Sequence, residues 1–278
     1  QLLRYSLRSV HANLRCDYRF IYLVTQRPQV PEWLDARRPK IRVVHHDEFF
    51  EDAANLPTFS SNAIELQLHR IPGLADRFVY LNDDFLPGGE VTADDLMDAH
   101  GQPRYTPGED GNDHIPHLVV REHVEEMIRE RPELFQAMLR SRFRQSRHYP
   151  LDAGYKDFLV RRGIGAAYSR TFVRRNRLCW RLGENAKTDW NPLDASIQAA
   201  FGTNVGRTRL WLWLTRAVLA YGLWARPKFV CLNDDLGETP DPRVLELGRR
   251  FLQRAFPEPS PYERWPLKDD VGPSRGPA

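Results

Sequence analysis

Two stretches of the chain set carboxylates where chemistry could use them. Phe78-Val79-Tyr80-Leu81-Asn82-Asp83-Asp84 reads as a short apolar strand that stops on an Asn-Asp-Asp triplet, and Cys231-Leu232-Asn233-Asp234-Asp235 repeats the arrangement. Acids just past the C-terminal end of a strand sit where open α/β sheets bind ligands. Adjacent carboxylates are hard oxygen donors, suited to Mg²⁺ or Mn²⁺ shared with a diphosphate. The plainer reading of each triplet is a pair of loop-capping aspartates. Two copies on separate strands predict that both edges face one cleft.

Other candidates surround these triplets. Leu56-Pro57-Thr58-Phe59-Ser60-Ser61-Asn62-Ala63-Ile64-Glu65 joins a hydroxyl-rich loop to a helix start, and N–H groups at a helix N-terminus suit phosphate oxygens. Glu65 and His69 stand four residues apart on one face of that helix; the alternative to phosphate binding is an ordinary N-cap with that i,i+4 pair. His114-Ile115-Pro116-His117 sets two imidazoles around a proline. Histidine is the usual general base near neutral pH, although a structural role fits the pair as well. His45 and His46 could join a site only through the fold. Arg140, Arg142, Arg144 and Arg147 form a basic run, read as bidentate phosphate ligands or as a solvated helix end.

These groups need elements to hold them. Hydrophobic spacing predicts helices over 2–14, 61–70 and 117–141, then 152–162, 192–201, 207–224 and 242–255. It predicts strands over 18–25, 41–44, 78–81 and 228–232. Residues 86–113, rich in Pro, Gly and acids, read as a boundary or lid with one short helix near 93–99. The order implies an α/β layer with a mostly parallel sheet. The Trp-rich helix, with Trp211, Trp213 and Trp224, reads as core, with a sugar platform or membrane-surface contact as the other reading.

Composition narrows the function classes. A length of 278 residues allows one large domain or two small ones. Forty Lys and Arg against 37 Asp and Glu leave a net charge of +3, too little for a general nucleic-acid binder but compatible with a local basic site. The mean hydropathy is −0.57. The longest apolar stretch, Leu210 to Trp224, is broken by Arg216 and falls short of the ~20 residues a span needs. Cys16, Cys179 and Cys231 show no metal spacing, which fits a reducing compartment. Residues 1–14 read as an amphipathic helix and not as a signal peptide, and the chain begins inside that helix, so a start upstream of Gln1 is expected.

The motifs together resemble the Stealth family of sugar-1-phosphate transferases, which act in bacterial polysaccharide synthesis and include the catalytic subunit of GlcNAc-1-phosphotransferase. Leu3 to Ser9, Val30-Pro31-Glu32-Trp33-Leu34, Leu56 to Glu65, His69 to Leu74 and Tyr80 to Asp84 resemble that family's second conserved region. His114 to His117 with Ser141-Arg142-Phe143-Arg144 resembles the third. Cys231 to Asp235, Phe251-Leu252 and Phe256 to Glu263 resemble the fourth. The first region, a strand with a nearby aspartate, is expected before Leu3. Gln26-Arg27-Pro28 departs from the family's Gly-containing turn, and the stretch from Asp84 to His114 is short for it.

The resemblance implies a Rossmann-like or GT-A-like sheet with a helical insertion. That is one catalytic unit: a nucleotide-sugar part over 1–90, a mainly helical part over 114–226, a returning strand and helix over 227–264 and a tail over 265–278. It implies transfer of a hexose-1-phosphate from a UDP-GlcNAc-like donor to a glycan acceptor. By it, His117 or His114 is the base, Arg144 contacts the transferred phosphate, and Asp83 and Asp84 bind a metal. Arg4, Ser61, Asn62, Glu65, Asn82, Asn233 and Asp234 contact substrate. A bacterial cytoplasmic setting, possible membrane association and a homo-oligomer are further expectations. The alternatives are a metal-dependent glycosyltransferase that releases a nucleoside diphosphate and a non-catalytic carbohydrate-binding remnant.

Overall fold

The computed structural model describes residues 2–108, 115–145, 150–181, 204–233 and 242–264, with residues 181, 204–211 and 233 described as backbone. The chain opens with α1 (Leu2–Asn13) and β1 (Leu14–Arg15). β2 (Ile21–Thr25) and β3 (Ile41–His45) follow, then α2 (Ser61–Gln67), β4 (Arg77–Tyr80), β5 (Phe85–Pro87), β6 (Val91–Thr92), α3 (Ala93–Leu96) and β7 (Arg104–Tyr105). β8 (His117–Val120) leads into α4 (Arg121–Glu130), α5 (Pro132–Leu139), α6 (Leu151–Arg162), β9 (Ala166–Ala167) and α7 (Arg170–Asn176). β10 (Arg177–Arg181), α8 (Asn204–Ala225), β11 (Phe229–Asn233) and α9 (Pro242–Ala255) complete the order.

The class is mixed α/β, but the described strands group into small separate sheets and not one continuous parallel sheet. β1 with β6, β2 with β3, β7 with β9 and β10 with β11 pair in parallel. β4 with β8 and β5 with β11 are antiparallel. The Asn-Asp-Asp triplet explains one reversal. Asn82 O accepts the Phe85 N–H at 3.1 Å, so the chain turns at the triplet and β5 leaves in a new direction, against β11.

Three expected elements change. Residues 117–120 are a strand and not the start of a helix, because Leu118 and Val119 are buried opposite Val79 and Phe78. Residues 86–108, the described part of the expected boundary, hold sheet structure, since β5 completes the sheet β10-β11-β5. In α8, Trp213 and Trp224 are 64% and 82% exposed, so they are not core. Leu212, Thr215, Leu219 and Gly222 form its buried face instead. A Cβ on Gly222 would lie 2.8 Å from Leu178 and 3.1 Å from Phe251 of α9, so this glycine lets the two helices close. Helix 192–201 lies outside the described residues. No described helix is long and apolar enough to cross a membrane.

Two apolar clusters position the site. One gathers Leu66, Tyr80, Val119, Met138, Tyr155 and Phe158 from α2, β4, β8, α5 and α6. The other gathers Tyr5, Leu86, Trp180, Leu232 and Phe251 from α1, β5, β10, β11 and α9. Charge joins α1 to the segment that follows α9. Arg8 donates to both Glu263 oxygens at 2.7 Å, and Arg4 Nε donates to Glu263 Oε2 at 2.5 Å. The Ser260 N–H adds a third donor at 2.7 Å.

Candidate active site

The strand that leads to the second Asn-Asp-Asp element, β11, meets the first. The Leu232 N–H of β11 donates to Asp84 O at 3.2 Å. Cys231 Sγ lies 3.4 Å from Asp84 Oδ2. Cys231 stands opposite Cys179 in the β10–β11 register. Its thiol is pushed well above its usual range by the hydrogen bond with Cys179, by burial and by the Asp84 carboxylate. It therefore keeps its proton and donates to Asp84. Asn233 ends β11 beside this junction, while Asp234 and Asp235 lie outside the described residues.

Behind the first triplet sits a buried polar chain. Ser60 caps α2, its Oγ accepting the Ala63 N–H at 3.4 Å. This cap fixes the helix so that Glu65, one turn in, points at the end of β4. Burial raises the Glu65 carboxyl above its ordinary value, against the Leu151 N–H, the Tyr80 hydroxyl and the Arg144 charge, which pull it down. The Leu151 N–H donates to Glu65 Oε2 at 3.0 Å. Tyr80 donates its hydroxyl to Asn82 Oδ1. Burial and the carboxylates of Glu65, Asp152 and Asp84 hold that phenol well above its usual range. One phenol thus senses three acids and links Glu65 to the triplet.

The remaining candidates divide. His117 is buried at the start of β8, directly opposite Tyr80. His114 lies outside the described residues. Arg144 is exposed and close enough to Glu65 to act on its charge. Asp83 is exposed, Asn62 is buried with Nδ2 lacking a partner, and Ser61 is exposed. Arg4 is engaged by Glu263, so its guanidinium braces α1. The expected pair of Glu65 with His69 does not form, because α2 tightens into a 3-10 turn at Leu68–Arg70. His69 is buried instead and falls to about 4, driven by burial and the neighbouring Arg70. Among the described residues no three His, Cys, Asp or Glu side chains gather as a metal cluster. Asp83 and Asp84 remain two adjacent carboxylates at one turn, a donor set of the kind that shares Mg²⁺ or Mn²⁺ with substrate phosphates.

Two polar residues at the site carry no sequence signal of their own. Asp152 is buried in the first turn of α6 and accepts the Ala153 N–H at 2.8 Å, which in sequence reads only as a helix-start acid. Lys156, one turn later and also buried, donates to Thr106 Oγ1 at 3.2 Å. A lysine at that spacing reads as a solvated helix face.

Comparison with known proteins accounts for much of this architecture. Residues 1–105 match the family model described as Stealth protein CR2, conserved region 2, and residues 223–269 match Stealth protein CR4, conserved region 4. The chain belongs to the Stealth family. The two matched regions contain both triplets and both sides of the Arg4, Arg8 and Glu263 cluster. An exopolysaccharide phosphotransferase of Streptomyces coelicolor is 32% identical over 94% of this chain and 44% of its own length. The exopolysaccharide phosphotransferase CpsY of Mycobacterium tuberculosis is 30% identical over 94% of this chain and 50% of its own. Human N-acetylglucosamine-1-phosphotransferase subunits alpha/beta are 44% identical over 104 residues, 37% of this chain and 8% of that protein. The chain thus spans about half the length of these bacterial relatives.

Proposed function

We propose that this chain forms the catalytic part of a sugar-1-phosphate transferase. It moves a hexose-1-phosphate from a nucleotide diphosphate sugar, UDP-GlcNAc-like, to a glycan hydroxyl and releases a nucleoside monophosphate. The observation that carries this reading is the meeting of β11, the strand that leads to the second triplet, with the first triplet, Leu232 N–H donating to Asp84 O at 3.2 Å, beside the Glu65–Tyr80–Asn82 chain. The relatives named as phosphotransferases support it.

In this reading the acceptor oxygen attacks the sugar-bearing phosphorus. The new O–P bond forms as the bridging P–O bond breaks, and the nucleoside monophosphate leaves with the bonding electrons. The acceptor's proton passes to an imidazole, His117 or His114. Arg144 holds the transferred phosphate, where charge neutralisation supplies most of the acceleration. Asn82 orients the triplet, Glu65 receives sugar hydroxyls, and Asn233 and Asp234 close the cleft, with Ser61 and Asn62 at its helix side. Asp83 and Asp84 would hold Mg²⁺ or Mn²⁺, which supplies charge neutralisation for the diphosphate. A cytoplasmic bacterial setting belongs to the same reading.

Incubation with UDP-GlcNAc and a capsular oligosaccharide, with product nucleotides separated chromatographically, tests the proposal. UMP is expected, and Asp84→Asn or Arg144→Ala should cut its release at least about 10²-fold. UDP as the sole product would make the chain an ordinary glycosyltransferase. Donor binding without turnover would make it a binding module.

A further inference from the structure

One exposed feature beside the site is unexplained by these roles. Phe59 and Phe143 are 60% and 67% exposed, yet their rings stack on each other, 5.6 Å apart at 15°. The stack is built and not incidental. The Phe59 N–H donates to Arg142 O at 2.7 Å, and Thr58 Oγ donates to Ser141 O at 3.2 Å. Two loops far apart in sequence are thereby locked so that both rings face solvent. Exposed aromatic rings cost free energy when left in water, and a fixed pair at the edge of a site is a common sign of ligand contact.

The order of contacts says which ligand meets it. Asp84 acts on the Tyr80 phenol, Tyr80 lies against Glu65, and Arg144 acts on Glu65. Phe143 is the next residue to Arg144, and Phe59 stacks on Phe143. Phe59 also precedes Ser60, the cap of the helix that carries Glu65, so the aromatic pair is tied to the Glu65 and Arg144 side of the site. In a phosphoryl-type transfer the attacking and leaving oxygens stand in line on opposite sides of phosphorus. In the transferase reading the departing nucleotide is at the triplet and the transferred phosphate at Arg144, and the rings next to Arg144 are left for the group that brings the attacking hydroxyl. The ligand there is the acceptor. Its chemistry also fits. A pyranose ring offers a face of C–H bonds to an aromatic ring and a rim of hydroxyls to neighbouring donors. Arg142, Arg144 and Ser61, all exposed, flank the rings.

We propose that Phe59 and Phe143 form the acceptor subsite, a shelf on which a pyranose ring of the glycan stacks next to the hydroxyl that attacks. The inference rests on the transferase reading above but adds a site and a ligand class to it. The shelf sets acceptor affinity and takes no part in bond making, so its loss is read in one kinetic constant.

The test is steady-state kinetics of UMP release by the full chain, with donor and acceptor varied separately. Phe59→Ala combined with Phe143→Ala should raise the acceptor KM about tenfold or more, with kcat and donor KM within about twofold, since stacking on aromatic rings contributes on this scale. Phe143→Trp should restore or lower that KM. Both rings are exposed, and unchanged thermal unfolding is the expected control; a single Phe143→Ser variant repeats the test where the double one unfolds. An unchanged acceptor KM overturns the shelf. A rise confined to the donor KM also overturns it and assigns the rings to the nucleotide. A wild-type chain that releases no UMP defeats the transferase reading itself. In that case titration of the acceptor glycan alone, followed by changes in its proton resonances, still judges the shelf: binding lost in the double variant supports it, and binding retained refutes it.

Discussion

Glu65 and Glu263 are both buried glutamates, 8% and 5% exposed, and their surroundings drive them in opposite directions. Glu65 is raised by burial, with one main-chain N–H, one phenol and a more distant arginine to offset it. At Glu263 burial also pushes upward, but hydrogen bonds from Arg8, Arg4 and Ser260 outweigh it and hold the carboxyl low. One carboxylate is fully answered by direct cations. The other is met by a main-chain N–H and a phenol and not by a direct cation, at the end of a strand that leads into the first triplet. A carboxylate held low by cations braces a fold, whereas one raised by burial beside a cleft is a candidate for ligand chemistry.

The largest expected effect falls on the brace. Glu263→Ala leaves the Arg8 guanidinium buried without its carboxylate, and unfolding by urea should show a loss of at least ~3 kcal/mol. A loss under ~1 kcal/mol would put the two glutamates in the same class and break the contrast. The second effect falls on activity. Glu65→Gln keeps the shape and one acceptor for the Leu151 N–H, so turnover should fall on the order of 10- to 100-fold while stability at neutral pH holds or rises. The signs follow from linkage. A carboxyl raised in the folded state contributes stability below the unfolded value of ~4.3 and loses it as pH rises through its folded value. Glutamine removes the cost that remains above that. Glu263, held low, contributes above ~4.3 and loses its contribution as pH falls through its folded value, so melting temperature against pH should flatten on the acid side in Glu263→Gln. The smallest effect sharpens the contrast further. Tyr80→Phe removes the phenol hydroxyl that holds Glu65 down, costs about 1 kcal/mol, and should move the acidic limb of the kcat/KM profile to higher pH. A limb that stays put would mean that the Glu65 proton is not the one being read.

The amphipathic elements were legible from spacing alone. Helix 242–255 is found at the expected bounds, and α1 and β3 within one residue of theirs. What spacing missed depends on partners far along the chain. His117 to Val120 runs without a break into the charged helix after it, and only pairing with Arg77–Tyr80 makes it a strand. Glu65 looked like half of a local pair with His69, but its donor is the Leu151 N–H, 86 positions away. The triplets, by contrast, stood out because acids end an apolar strand twice, and the fold does bring Asp84 to β11. Phe59 lies inside the Leu56–Glu65 motif, but its role depends on Phe143, which stacks on it from far along the chain.

The cluster of Arg4, Arg8 and Glu263 also has a bearing on when the molecule becomes whole. Its hydrogen bonds join residues 255 and 259 positions apart. Closing a ring of chain that long is entropically dear and comes after local helices and hairpins have formed. At about 5–20 residues per second, a ribosome delivers Glu263 roughly 10–50 s after Arg8. Throughout that interval α1 is already made but cannot be fastened. Within this chain an early-made helix is thus among the last described elements to be secured, and the segment around Glu263 completes the seat on which the first triplet's strand neighbour, β5, rests.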